Sequence, residues 1–274
     1  MPMTIASALA ALHTQGLERL DAQLLVLHAM KRPAHDRAWL LAHDTDPLPE
    51  VSRTQLQTSV QRRLMGEPVA YLTGHKEFYG LDLTVDARVL VPRPDTETLV
   101  DWALEVLAEK PHATVVDLGT GSGAIALSLK HTRPDLQVHA VDFSADALVV
   151  ANANARRLQL DVQFRQDSWL SGFDGFFDAI VSNPPYIPEH DHHLAALQHE
   201  PLQALASGAD GLGDIRKIIA QASAQLKPGG WLLLEHGFDQ AAEVRALLST
   251  AGFSDVQSRV DLAAIERCSG GKFG

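Results

Sequence analysis

The stretch Val115-Val116-Asp117-Leu118-Gly119-Thr120-Gly121-Ser122-Gly123-Ala124 decides the fold. Two β-branched residues are followed by three glycines alternating with small polar residues, and then by the helical composition of Ala124 to Lys130. The reading is strand, tight loop, helix start, with glycines that allow close backbone approach and offer N–H groups at a helix N-terminus. Outward from there, apolar runs alternate with helical stretches. Thr114 to Asp117, Val138 to Asp142, Val162 to Arg165, Ala179 to Ser182 and Trp231 to Glu235 read as strands, and Ala124 to Lys130, Ala145 to Leu158 and Ile215 to Leu226 as helices between them. This alternation predicts an α/β fold, a mostly parallel sheet with helices on both faces. Pro228-Gly229-Gly230 reads as a sharp turn into the fifth strand, Val244 to Ala251 as a further helix, and Ser254 to Val260 with Leu262 to Arg267 as a closing antiparallel hairpin.

Upstream, residues 4 to 66 read as four helices broken at Gly16, Arg32-Pro33 and Asp46-Pro47-Leu48-Pro49. Thr4 can cap Ile5 to His13. Leu20, Leu24, Leu25, Leu27 and Met30 give one apolar face, and Leu56, Val60 and Leu64 another. A small helical bundle over residues 1–75 is expected, serving either as a packing appendage or as a substrate-docking module. Residues 76–92, with Leu81, Leu83 and Val85 alternating with polar residues, read as a β-hairpin linker to a domain spanning 93–274. Pro92 and Pro94 keep the next segment extended, and Asp95 or Thr96 can cap the helix that follows.

The loop spacing GxGxG, with Ala124 behind it, also satisfies the looser GxGxxA form of a nicotinamide-binding fingerprint. Asp142 ends the next strand and can accept both ribose hydroxyls under either cofactor. Two features favour a sulfonium ligand over a pyrophosphate. No Lys or Arg lies between Asp117 and Leu127, and Asp117 repels phosphate while suiting an ammonium and sulfonium group. After the third strand, Asp167 can accept an adenine amino group and Trp169 can pack on its ring.

The fourth strand ends in Ser182-Asn183-Pro184-Pro185-Tyr186-Ile187. Two prolines cannot continue the ladder, so the chain leaves the sheet at Asn183 with rigidly held acceptors and the Tyr186 ring beside them. A planar NH2 group could donate to the Asn183 side-chain oxygen and to the Pro184 carbonyl. The acceptor could be an amide, or the amino group of adenine N6 or guanine N2 in a nucleic acid.

Lys and Arg number 23 against 34 Asp and Glu, a formal charge of -11, and the whole excess of acid lies after His75. That argues against a catalytic part that grips nucleic acid by its phosphates and suits a basic protein partner. The single Cys268 excludes an internal disulfide and a cysteine zinc site. His190, His192, His193 and His199 read as a solvated loop, so no metal is expected. With no apolar run of membrane-spanning length and no basic leader, a soluble, cytoplasmic protein with no membrane contact is expected.

The glycine loop, Asp142 and Asn183-Pro184-Pro185-Tyr186, in that order, resemble class I S-adenosylmethionine methyltransferases acting on planar nitrogen. Adding Arg62-Arg63, Gly66-Glu67-Pro68-Val69-Ala70-Tyr71-Leu72-Thr73-Gly74, Glu77-Phe78-Tyr79-Gly80, Pro92-Arg93-Pro94-Asp95-Thr96-Glu97, Glu200-Pro201, Ala204-Leu205, Gly208 and Asp210-Gly211-Leu212, nearly the whole chain resembles the peptide chain release factor glutamine N5-methyltransferase family. The resemblance implies a Rossmann-like domain with a mostly parallel seven-stranded sheet and a helical bundle that helps dock the factor. It implies methylation of the glutamine in the Gly-Gly-Gln loop of class 1 release factors, with S-adenosyl-L-homocysteine as product; a monomer with no direct nucleic-acid contact is expected. Asp117, Gly119, Thr120, Gly121, Ser122, Gly123, Asp142, Asp167, Trp169 and Asn183 are the cofactor candidates. Asn183, Pro184, Pro185 and Tyr186 are the candidates for binding the glutamine, and Asn183, Pro184 and Tyr186 for catalysis. Cys268-Ser269-Gly270-Gly271-Lys272 departs from the Gly-Arg pair often found at that point in the family.

Overall fold

The computed structural model describes residues 3 to 274, so Met1 and Pro2 lie outside the description. Two compact units are resolved by their internal contacts, meeting in sequence between His75 and Lys76. The first holds α1 (Ile5–Thr14), α2 (Arg19–Ala29), α3 (Arg37–Ala42), α4 (Glu50–Leu64) and α5 (Val69–Thr73). Thr4 caps α1 with a reciprocal bond to Ser7, satisfying two otherwise orphaned groups. Ile5, Ala8 and Leu12 of α1 close on Leu25, Val26 and Leu27 of α2 and on Leu56 and Val60 of α4. Leu20 and Leu64, expected on those apolar faces, are exposed instead.

The hairpin β1 (His75–Phe78) and β2 (Leu81–Thr84) starts at the last residue of the first unit and otherwise opens the second, followed by α6 (Glu97–Val106), β3 (Thr114–Leu118), α7 (Ala124–Thr132), β4 (Gln137–Asp142), α8 (Ala145–Leu158), β5 (Gln163–Gln166) and β6 (Phe177–Ser182). The second unit closes with α9 (Gly213–Ala222), β7 (Leu226–Glu235), α10 (Ala241–Thr250), β8 (Phe253–Val260) and β9 (Glu266–Phe273). The sheet runs β5-β4-β3-β6-β7-β9-β8, parallel except that β9 lies antiparallel to both neighbours. Seven strands and this order make it the class I methyltransferase fold. The strand order reverses at β3, where β4 lies on one side and β6 on the other, and open α/β sheets bind ligands at that reversal. Val116, Leu118, Ile180, Leu232 and Leu234 alternate into a core with Ile215 and Ile218 of α9 and Val244 and Leu248 of α10, each worth about 1.5–3 kcal/mol of burial.

Several sequence expectations give way to tertiary context. The segment 76–92 is integral to the second unit rather than a bare connection: Asn154 of α8 accepts from the Thr84 N–H at 2.8 Å and donates to its carbonyl at 2.9 Å. Neither Asp95 nor Thr96 caps α6, because a 3-10 turn over Pro94–Thr96 leads directly into it. Pro228-Gly229-Gly230 is an irregularity inside β7 rather than a turn before it; the register jumps from Phe177↔Leu226 to Ala179↔Trp231. Lys227 donates from that strand to Asp178 at 2.6 Å. The largest correction is at the tail. Leu262 to Arg267 is not the return strand; β9 runs on through Cys268-Ser269-Gly270-Gly271-Lys272, sandwiched between β7 and β8. No apolar pattern marks this run, because its glycines are set by crowding: a Cβ on Gly270 would lie 2.6 Å from the Leu232 carbonyl oxygen.

Candidate active site

The carboxyl ends of four parallel strands meet at one cavity of about 240 Å3. Gly119 and Gly121 follow β3, Asp142 and Phe143 end and follow β4, Asp167 and Trp169 follow β5, and Asn183 and Pro185 follow β6; all line it. The register explains the convergence. Leu118 pairs with Ser182, so the glycine loop and Asn183 leave adjacent strands from the same level. The Ser182 hydroxyl locks the two ends by donating to the Leu118 carbonyl at 2.7 Å.

Asp142 accepts from the Gly121 N–H at 2.9 Å and from the Ser144 N–H at 2.8 Å, and burial pushes its carboxyl up despite those donors. A carboxylate has about four lone-pair sites, so acceptor capacity remains for a hydroxyl donor. Trp169 sits in the left-handed region at φ 55°, a conformation that costs a bulky residue energy, and its ring covers Gly119 so closely that a Cβ there would lie 3.4 Å away. Asp167 accepts from the Ser168 N–H and pairs with Arg165 at 3.2 Å.

Asp117, Thr120, Ser122 and Gly123 do not line the cavity as expected of ligand contacts. Asp117 is fully buried behind the loop, where it accepts from the Thr120 hydroxyl at 2.6 Å and the Ala126 N–H at 3.2 Å, and burial pushes it up to about 7. Ser122 is buried, and Gly123 opens α7 at φ 86°, where a Cβ would meet Leu127 at 2.9 Å. The loop amides are also spent internally. Gly119 and Thr120 both donate to the Val141 carbonyl, Gly121 to Asp142 and Gly123 to the Thr120 carbonyl. A pyrophosphate therefore finds few donors here, and the two cations on the wall, Arg88 and Lys217, are already paired with Asp86 and Asp214.

A second, smaller cavity of about 80 Å3 shares Asn183 with the first and is lined by Leu90, Arg93, Tyr186, Ile187, Leu197, Ala204 and Leu205. Asn183 donates its Nδ2 to Thr96 Oγ1 at 3.2 Å, leaving Oδ1 as its acceptor. Tyr186 is held at both ends: its carbonyl accepts from Gln240 Nε2 at 3.0 Å, and its phenol donates to Glu235 Oε1 at 3.4 Å. Burial raises the phenol well above its usual range. Pro184 is buried within the same bend.

The relatives of this chain are consistent. Residues 4–74 match the PrmC N-terminal domain family and residues 96–210 the Methyltransferase small domain family. A release factor glutamine methyltransferase of Burkholderia pseudomallei is 47% identical over 278 residues, covering 97% of this chain and 96% of that protein. One from Xylella fastidiosa is 48% identical over 276 residues, covering 99% and 98%. This chain belongs to the release factor glutamine methyltransferase family. The fold is shared more widely: the 16S rRNA N2 G1207 methyltransferase of T. thermophilus, solved with AdoMet and guanosine, superposes with a TM-score of 0.55 at 19% identity, covering 73% of this chain and 50% of that one.

The cavity fits the S-adenosylmethionine that a methyltransferase of this family implies. Its wall combines carboxylates with the aromatic faces of Phe143 and Trp169, and behind the loop Asp117 Oδ1 is buried without a hydrogen-bond partner. Several contributors escape a sequence reading. Glu200, 7% exposed, accepts from the Val91 N–H at 3.0 Å and from Arg93 at 2.5 Å, fixing the segment that carries Leu90. Asn154 donates to the Ser122 carbonyl at 3.0 Å and so ties the glycine loop to β2. Phe143, 72% exposed beside Asp142, was legible only as the residue after a strand-ending acid. The trio Asp191, His192 and His193 brings its ligand atoms within 4.8 Å of one another on an exposed loop, apart from both cavities.

Proposed function

We propose that this protein transfers a methyl group from S-adenosylmethionine to the side-chain amide nitrogen of the glutamine in the Gly-Gly-Gln loop of class 1 peptide chain release factors. The observation that carries this reading is the shared register of β3 and β6, which sets the cofactor wall and the Asn183 corner side by side. Gly119, Gly121, Asp142, Asp167, Trp169 and Asn183 would hold the cofactor, with Asp117 behind them. When bound, it supplies an electrophilic methyl on a positively charged sulfur.

The chain's own task is to make a poor nucleophile attack. A carboxamide nitrogen has its lone pair delocalised into the carbonyl. Asn183 Oδ1 and the Pro184 carbonyl accept the two N–H groups, which turns the lone pair toward the larger cavity. They also stabilise the more tetrahedral, positive nitrogen that develops. Such orientation can remove ~7–11 kcal/mol of barrier. The smaller cavity's Leu90, Ile187, Leu197 and Leu205 suit the aliphatic stem of glutamine, with the Tyr186 ring beside the amide. No basic side chain is needed, because attack acidifies the nitrogen and water can take the proton afterwards. In the same reading the helical unit docks the release factor.

Labelled methyl transfer to purified release factor tests this, with its loop glutamine changed to alanine as control and RNA and DNA as rival acceptors. Label is expected on the intact factor alone. Label on nucleic acid, or on the alanine control, overturns the reading.

A further inference from the structure

Of the residues lining the smaller cavity, only Arg93 carries a charge. Its side chain is 38% exposed, so the guanidinium reaches from the cavity wall to solvent, at the mouth through which a glutamine side chain would enter. It is held there firmly. Arg93 lies between Pro92 and Pro94 in an extended conformation, φ -100° and ψ 142°, which the prolines on either side enforce. Behind it, the Glu200 side chain is 2% exposed and divides its oxygens: Oε1 accepts from one Nη of Arg93 at 2.5 Å and Oε2 from the Val91 N–H at 3.0 Å. Because Oε2 is spent on the main chain, the pair is not the two-bond fork that arginine and a carboxylate usually form. Among the described residues, Nε and the other Nη of Arg93 have no hydrogen-bond partner.

A fixed guanidinium with unspent N–H groups at the mouth of a cavity calls for an acceptor on the ligand. A glutamine within a polypeptide brings three kinds: its own side-chain carbonyl, the main-chain carbonyls beside it, and any neighbouring carboxylate. Glu200 neutralises Arg93, so the pair offers donors without net charge, which suits a carbonyl better than an anion. The chemistry rejects the side-chain carbonyl, because a cation there would draw the nitrogen lone pair further into the C=O and slow the attack. Main-chain carbonyls keep their charge throughout the reaction, so gripping them costs the chemical step nothing. In a Gly-Gly-Gln loop the two residues before the glutamine have no side chains, which lets a planar fork approach their backbone closely.

We infer that Arg93, held by Glu200, is a substrate-binding residue that grips the main-chain carbonyls of the two glycines before the glutamine, and so selects the loop without taking part in methyl transfer. The inference rests on the proposed function and goes beyond it in naming what recognises the backbone of the loop.

The test is Arg93→Met in the full chain, which keeps an unbranched apolar stem and removes every donor. An interaction made equally before and during attack shows in KM and not in kcat. With release factor as substrate, KM should therefore rise on the order of tenfold, while kcat and the S-adenosylmethionine affinity measured by calorimetry stay within about twofold. A release factor whose glycine next to the glutamine is changed to alanine completes a cycle: it should raise KM for the wild type and add little to the KM of Arg93→Met. The inference is overturned if KM for Arg93→Met matches that of the wild type, if kcat or cofactor affinity shifts by as much as KM, or if the two changes add in full. Arg93→Met leaves the buried Glu200 charge unpaired; should that variant not fold, Arg93→Met combined with Glu200→Gln, which can still accept from Val91, replaces it with the same outcomes expected. Each of those failures leaves methyl transfer to the glutamine standing, whereas absence of transfer by the wild type removes the functional reading and this inference with it.

Discussion

Asn183 has two hydrogen-bonding ends, and only the Nδ2 end is committed inside the protein, to Thr96. In the proposed reading that division leaves it as the acceptor for an incoming amide while the prolines behind it hold the backbone still. Asn183→Ala should lower turnover by on the order of a hundredfold or more, since both orientation and a fixed dipole are lost. Cofactor affinity should fall far less than turnover, because Gly119, Gly121, Asp142, Asp167 and Trp169 stay in place. Rapid-quench kinetics and calorimetry separate the two effects; turnover near that of the wild type would refute the assignment. Asp117 teaches a different lesson. Its spacing before the glycines was legible, but its burial and its bond to the Thr120 hydroxyl were not, because they depend on how α7 closes over the loop.

At the level of elements, the glycine loop is braced from a helix rather than stiffened by its own sequence. Asn154 of α8 is fully buried and satisfies Thr84 at both N–H and C=O as well as the Ser122 carbonyl. Asn154→Leu would leave those backbone groups unmatched, costing about 2–3 kcal/mol, and should show as a lower urea midpoint together with weaker cofactor binding. In β9 the constraint is steric. Gly270→Ala would press a methyl against the Leu232 carbonyl, Leu233 and Trp102, and overpacking of this kind costs about 1–3 kcal/mol. Thermal unfolding of that variant checks it, and an unchanged midpoint would mean that β9 can shift at no cost. Gly211 carries a similar burden: at φ 76° it lies so near the Tyr186 carbonyl that a Cβ would sit 2.1 Å from that oxygen. The strand-loop-helix rhythm around β3 and β6 could be read from apolar periodicity, whereas β9 could not, because two glycines between neighbouring strands carry no periodic signal.

Across the whole molecule, two buried carboxyls link stability to pH. Burial pushes Asp117 from 3.8 to about 7 and Glu235 from 4.5 to about 7, so the folded state keeps protons that the unfolded chain has released. Their stabilisation is therefore fully present below the unfolded values and is lost as pH rises through about 7. The half-buried His139 and the buried His236, whose values burial lowers, act in the opposite sense as pH falls. Comparing the wild type with Asp117→Asn isolates one carboxyl: the variant should gain relative stability as pH is raised from 5 toward 8, by chemical denaturation without cofactor, and a constant difference would contradict the assignment. Among the described residues no helix is long and apolar enough to cross a membrane. The sequence by itself determined the α/β alternation, the helical bundle, and the order of glycine loop, Asp142 and Asn183-Pro184-Pro185-Tyr186, because hydrophobic period and proline or glycine stops are local properties of the chain. Only the tertiary structure decided which loop residues face the cavity, which are consumed in bracing it, and that Thr96 stands behind Asn183, Glu235 behind Tyr186 and Asn154 behind the glycine loop. Those facts depend on strand register and on contacts between residues far apart in sequence, which local pattern does not encode.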